Sequence, residues 1–218
     1  MKKIVFFIAI LGFLALGIFT ILSVTPVALV MVRQSSIMNF LQRVTGLSLF
    51  VLLFVQIILG AFMPKISEKL GGWVFNFHVF EGRLIYILAI LHPISLVLFN
   101  HYIGLRLDPF VAFINVCLLC QNLRGYYYTI GIVSFWLLSI AVSAAVLRKT
   151  NNWLKMNWRK FHVLNYAVFL LVGAHGFLLG TDFRVQPFYT FAMIAYATVV
   201  GIIVFIELPR LFKNFRSW

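Results

Sequence analysis

Four of the five histidines fall in two pairs on two apolar segments. His78 and His92 are 14 residues apart in one, and His162 and His175 are 13 apart in the other. Imidazole is costly to bury in hydrocarbon, and an ionisable side chain inside a membrane span marks a functional site by default. Two pairs at nearly matched depth point to two stacked haems, each iron held by one histidine from each segment. The competing chemistry is haem-free: structural histidines, or histidines that carry protons, in a transporter or assembly factor. Zinc would ask for closely spaced ligand clusters, and the sequence has none. His101, nine residues beyond His92, falls at or past the membrane surface and reads as solvated.

The elements that must position these histidines are membrane helices. Hydrophobic residues make up 63% of the 218, charged residues only 11%, and the mean hydropathy is +1.03. That composition excludes a soluble domain. The formal charge of +13 does not indicate nucleic acid, because the basic residues sit between apolar runs instead of forming one face. A span needs about 20 residues to cross about 30 Å of hydrocarbon. Six stretches qualify: Ile4–Val30, Leu41–Phe62, Trp73–Phe99, Thr129–Val146, Phe161–Leu179 and Phe188–Ile206. The first begins Met-Lys-Lys but lacks a small-x-small cleavage site, so it is expected to be a helix and not a signal peptide. Leu107–Cys120 is shorter and reads as a re-entrant or interfacial segment. The expected fold is therefore all-α: one polytopic membrane domain over residues 1–218, with a haem-binding four-helix core.

Loop charges set an expected orientation. Lys2, Lys3, Lys65, Lys69, the Arg148–Lys160 loop, Arg210, Lys213 and Arg216 fall on one side, and Arg33, Arg43, Arg106, Arg124 and Arg184 on the other. The positive-inside rule then puts both termini in the cytoplasm, with His78 and His162 near the cytoplasmic face. Fourteen helical residues rise about 21 Å and return to nearly the same face. Thirteen fall one residue short, which leaves His175 rotated by roughly 100–140° from His162 in a regular helix. A local irregularity near Gly173, or a different approach to the second haem, would have to absorb that.

Other motifs carry less. Cys117-Leu118-Leu119-Cys120 has Cys-x-x-Cys spacing, but Gln121 follows where c-type haem attachment needs histidine. The pair reads as a disulfide, a thiol-exchange site, or two small apolar residues in a half-buried segment. The 24 phenylalanines suit packing around a porphyrin and the membrane interfaces, so no tunnelling residue is singled out. The basic Arg148–Lys160 loop serves orientation and lipid contact, and would also suit an acidic cytoplasmic flavoprotein.

Together these residues resemble the ferric reductase-like transmembrane domain family, which includes NADPH oxidases, ferric reductases and a stand-alone bacterial haem subunit of a methionine sulfoxide reductase system. The resemblance rests on the histidine spacing, with Gly82-Arg83 between the first pair and Pro93 directly after His92. Gln42-Arg43-Val44-Thr45-Gly46 is similar to the family's Arg-x-Thr-Gly stretch. Trp158 through His162 to Tyr166 is similar to its Trp-x-x-x-His-x-x-x-Tyr. Arg124-Gly125-Tyr126 through Thr129-Ile130-Gly131 is similar to its Arg-Pro-Tyr-x-Thr-x-Gly, with Gly125 in place of proline and altered spacing.

The resemblance implies two b-type haems, His78 with His162 and His92 with His175. It further implies a multi-pass cell-membrane protein acting as an oxidoreductase subunit. Two imidazoles per iron leave no open coordination position, which suits electron transfer. Haem propionates are anionic and need partners. Arg83, expected to pair with a propionate or with Glu81, and Arg43, at the far end of helix two, are the candidates. The sequence holds no Gly-rich dinucleotide fingerprint. The expected electron donor is therefore a separate cytoplasmic flavin (FAD or FMN) reductase or membrane quinol, and the acceptor is ferric iron, oxygen or an external redox enzyme. A quinol-linked di-haem cytochrome b serving a dehydrogenase is the nearest alternative.

Overall fold

A computed structural model describes residues 2–210; Met1 and residues 211–218, which include Lys213 and Arg216 of the basic set, lie outside the described residues. The chain is helical, with no strand among the described residues. Its helices are α1 (Lys2–Val24), α2 (Val27–Val30), α3 (Gln34–Leu70), α4 (Trp73–Tyr102), α5 (Phe110–Phe113), α6 (Leu123–Leu147), α7 (Asn152–His162), α8 (Leu164–Leu179) and α9 (Phe188–Ile202). A π-turn over Ile203–Glu207 extends α9. Six helical stretches are long and apolar enough to cross a membrane, α7 and α8 together forming one of them.

Their ends follow from local chemistry. Pro26 closes α1, so the expected first span is divided between α1 and the short α2. Helix α3 runs past the expected end at Phe62, but Phe62 itself leaves helical geometry (φ −114°, ψ 17°) two residues before Pro64. Proline removes an N–H and crowds the preceding turn, which kinks a helix here instead of ending it. Asn122 and Asn151 cap α6 and α7 by accepting from the N–H groups of Gly125 and Leu154, each at 3.0 Å.

Helix α3 is the axis of the bundle. α1, α4, α8 and α9 all pack against it, while α8 packs most closely on α6. Phe50, fully buried on α3, stacks on Phe169 of α8 at 4.9 Å and meets Phe183 edge-on at 5.0 Å. In lipid such close packing, and not exclusion of water, holds helices together.

The two ends of the bundle differ in charge. At the basic end the Lys2 ammonium donates to the carbonyl of Lys69 (3.3 Å), Lys3 lies over Trp73 and Arg148 lies over Trp158. At the far end Arg43 donates to both carboxylate oxygens of Asp182, at 2.7 and 2.5 Å, and to Thr25 Oγ1 at 2.7 Å. That clamp ties α1, α3 and the turn before α9 into one unit. The Leu107–Cys120 segment contains only the single turn α5. It runs down the side of α6 far enough for Trp136 Nε1 to donate to the Phe113 carbonyl at 2.8 Å.

Candidate functional site

Both histidine pairs meet across the bundle. The rings of His78 and His162 have centroids 6.0 Å apart with planes at 70°, and those of His92 and His175 are 6.5 Å apart at 80°. His78 and His92 stand on α4, His162 and His175 on α7 and α8. The helices that carry them do not pack face to face: α4 rests on α3, and α8 on α6. The imidazoles therefore span a separation that the backbones leave open. All four rings are half-buried.

Between His162 and His175 the irregularity is a tightened turn at Val163. That residue keeps helical geometry (φ −62°, ψ −25°) and its N–H bonds the Arg159 carbonyl at 3.2 Å, while the Tyr166 N–H bonds the Val163 carbonyl at 3.1 Å. His162 stands in the last turn of α7 and His175 on α8. The sequence pointed to Gly173 for this irregularity. Gly173 is instead a buried helical position against Tyr196.

At the far-end pair both rings are fixed by the main chain. His92 Nδ1 lies 3.0 Å from the Gln42 carbonyl, with Thr45 Oγ1 at 3.3 Å. His175 Nδ1 lies 2.9 Å from the Tyr127 carbonyl. A carbonyl only accepts, so each Nδ1 carries the proton and each Nε2 keeps its lone pair, the tautomer a metal-ligating histidine requires. Two glycines admit these rings. A Cβ on Gly46 would stand 2.9 Å from His92 Cε1, and one on Gly131 would stand 2.7 Å from His175 Cε1. The Arg-x-Thr-Gly stretch and the Tyr126–Gly131 stretch thus both converge on this pair.

The basic-end pair is held by side chains. Asn165 Nδ2 lies 3.3 Å from His162 Nδ1, and Trp158 packs edge-on to the His162 ring at 5.3 Å. Gln56 Nε2 donates to the His78 carbonyl at 3.2 Å. His78 Nδ1 and Gln56 Oε1 are buried without a partner. So are both carboxylate oxygens of Glu81, one turn beyond His78 and 1% exposed. Arg148, stacked on Trp158 at 4.1 Å, brings a cation toward this pair. Sequence reasoning missed Arg148 as a site residue because its loop carries many cations and nothing local distinguishes it.

The two arginines proposed as anion partners differ in setting. Arg83 is exposed on α4 and makes no ion pair with Glu81, so that expected pairing is absent. Five residues beyond His78 on a helix of 3.6 per turn, it points away from the histidine face. Arg43 is committed to Asp182 and Thr25, which leaves one N–H free on each terminal nitrogen. His101 is exposed in the last turn of α4. Cys117 and Cys120 are joined in a disulfide.

Among the described residues no group of three or more His, Cys, Asp and Glu side chains gathers around a point that could hold a metal ion. Each pair supplies two nitrogens and no more. No protein-family model matches this chain, no curated protein matches it, and no solved structure matches it.

Proposed function

We propose that this protein carries electrons across a membrane through two b-type haems, one between His78 and His162 and one between His92 and His175. The observation that carries the proposal is the separation of the paired rings, 6.0 and 6.5 Å. Two metal–nitrogen bonds of about 2 Å, with each ring centre roughly 1 Å behind its nitrogen, give about 6 Å. Two ligands per pair are too few for a metal held by protein alone, but they are what an iron already bound by four porphyrin nitrogens still needs. At the far end the residues fit the group, since both Nδ1 protons are engaged with carbonyls; at the basic end Gln56 Nε2 lies 3.5 Å from His78 Nε2 and would have to move aside for an iron.

Bound haem would supply one-electron iron chemistry at each pair. The protein's own residues do the rest. Gln42 and Tyr127 hold the far-end imidazoles in one tautomer and orientation. Trp158 and Asn165 position His162. Arg148 offers positive charge to an anionic group at the basic end. With the basic end in the cytoplasm by the positive-inside rule, electrons enter near His78 and His162 from a flavin reductase or quinol. They leave near His92 and His175 to an external acceptor: ferric iron, oxygen or a redox enzyme. This reading accords with the resemblance to ferric reductase-like membrane domains.

One observation favours a second reading. The unpartnered Glu81 carboxyl one turn from His78 is what a proton-handling protein without haem would also contain.

A reduced-minus-oxidised visible spectrum of the purified protein, with pyridine haemochrome quantitation, separates the two readings. Two low-spin b-type haems per chain are expected. His78→Ala and His92→Ala should each leave one, with different spectra, and nearly perpendicular imidazole planes should give strongly anisotropic low-spin EPR signals. Protein without haem, after expression with ample haem supply, would overturn the proposal.

A further inference from the structure

We infer that Cys117 and Cys120 form a thiol–disulfide exchange site at the far end of the bundle, and that its partner is a protein dithiol or disulfide. The inference is independent of the haem reading. Three features of the segment set this disulfide apart from a structural staple.

The first is its loop. A cross-link three residues apart closes so short a loop that it removes little entropy from the unfolded chain, since that effect grows with loop length. The second is that the segment is anchored without it. The Cys117 N–H donates to Thr129 Oγ1 at 3.0 Å, and the Cys120 N–H donates to the Tyr126 hydroxyl at 3.2 Å. Both anchors lie on α6 and do not involve sulfur, so the backbone keeps its place whether the bond is open or closed. The third is the setting of Cys120. Its Sγ lies against the first turn of α6, where a Cβ on Gly125 would stand 2.9 Å away. The N-terminal end of a 25-residue helix favours negative charge beside that sulfur, and the Cys117 carbonyl, 3.3 Å from it, accepts its proton once the bond is open.

These features give the two sulfurs different roles. A partner thiolate attacks Cys117 Sγ, and the Cys117–Cys120 bond breaks with its electron pair leaving on Cys120 Sγ, which takes a proton from water. The partner's second thiolate then attacks the partner sulfur of the mixed disulfide, and Cys117 leaves as a thiolate and is protonated. The partner dithiol is oxidised to a disulfide, and two electrons and two protons pass to the cysteine pair. The reverse sequence reduces a partner disulfide. Leu118 and Leu119, between the cysteines, are 81% and 93% exposed. The backbone on either side of the bond is therefore not covered by the rest of the protein.

The test uses the full chain in sealed proteoliposomes, equilibrated in glutathione buffers from fully oxidised to fully reducing. After an acid quench, thiols are counted by the gel shift of a maleimide polymer. The expected result is a passage from no shift to a two-thiol shift within the glutathione range, without dissolving the membrane. Cys120→Ser should accumulate a glutathione adduct at Cys117, and Cys117→Ser should form less adduct at Cys120 under the same oxidised buffer. The double serine variant should unfold thermally close to the wild type. A bond that stays closed in the most reducing buffer, one that opens only after detergent is added, or a large fall in the unfolding temperature of the double variant would each overturn the inference. None of these readouts requires haem, so they fail or succeed separately from the electron-transfer proposal.

Discussion

The two histidine pairs have the same composition and are held by different means. At the far end each ring is bonded to a main-chain carbonyl and admitted by a glycine. At the basic end the support comes from Asn165, Trp158 and Gln56, and His78 Nδ1 has no partner at all. Backbone support is rigid and fixes one tautomer. Side-chain support can be retuned by substitution. The ends differ in the same sense beyond the rings: the far end is closed by the buried Arg43–Asp182 pair, whereas the ion pair of the basic end, Arg210–Glu207, has Arg210 58% exposed. The far end is built to be invariant and the basic end to be adjustable.

The largest effect should come from breaking the far-end clamp. Arg43→Ala leaves Asp182, 2% exposed, charged and unpaired, at a cost of about 3–5 kcal/mol. Arg210→Ala should cost under about 1 kcal/mol, as exposed pairs do. Thermal unfolding in detergent measures both. Adding Asp182→Asn to Arg43→Ala should recover part of the loss. Equal effects at the two ends would remove the contrast.

The next test concerns the glycines. Gly131→Ala drives a methyl to within 2.7 Å of His175 Cε1. Overpacking of this kind costs about 1–3 kcal/mol, and the ring that must move is a proposed ligand. The expected outcome is selective loss or broadening of the far-end haem, with the basic-end bands unchanged in the visible spectrum. Gly46→Ala should act in the same direction and more weakly, since its Cβ would stand 2.9 Å from His92.

How far the sequence led follows the same division. Apolar run length located all six spans, and the histidine numbering located both pairs, because period and hydropathy are local properties. The second span was expected to end at Phe62, whereas α3 kinks there, two residues before Pro64, and continues to Leu70. The tightened turn at Val163 carries no signal in the residue types, since valine is no helix breaker. Arg43 looked free because Asp182 is 139 residues away, and tertiary ion pairs leave no local trace. The carbonyls of Gln42 and Tyr127 were invisible for a different reason. Every residue has a carbonyl, so the acceptor that fixes a ring has no residue type of its own. Only the neighbouring Thr45-Gly46 and Gly131 hinted that these stretches approach something closely.

At the basic end a smaller effect is expected from Asn165→Leu. Asn165 Nδ2 faces His162 Nδ1 while its Oδ1 has no partner; with the amide turned over, Oδ1 accepts the Nδ1 proton that an iron-binding Nε2 requires, and loss of such a support weakens metal binding by about 10–100-fold. Haem titration of the apoprotein should find one weakened site of the two, and it should be the one lost in His162→Ala. At the far end the carbonyls that hold the rings cannot be deleted by substitution, and only the Thr45 hydroxyl, 3.3 Å from His92 Nδ1, can be removed.

The smallest change separates burial from function at Glu81. Its carboxyl is 1% exposed, with neither oxygen bonded, and nothing in the packing of α4 requires a charge there. Burying a polar group without a partner is destabilising, and more so when it can ionise. Glu81→Gln keeps the shape and removes the charge, so a purely structural role predicts unchanged or slightly raised stability, by up to about 1 kcal/mol. The same variant should leave the far-end haem unaltered. If electron entry at the basic end is coupled to a proton on Glu81, the pH dependence of the midpoint potential assigned to the His78–His162 site should flatten in Glu81→Gln while that of the other site stays the same. A change at both sites would mean that the two pairs are not supported independently, and the division between a fixed end and an adjustable end would fail.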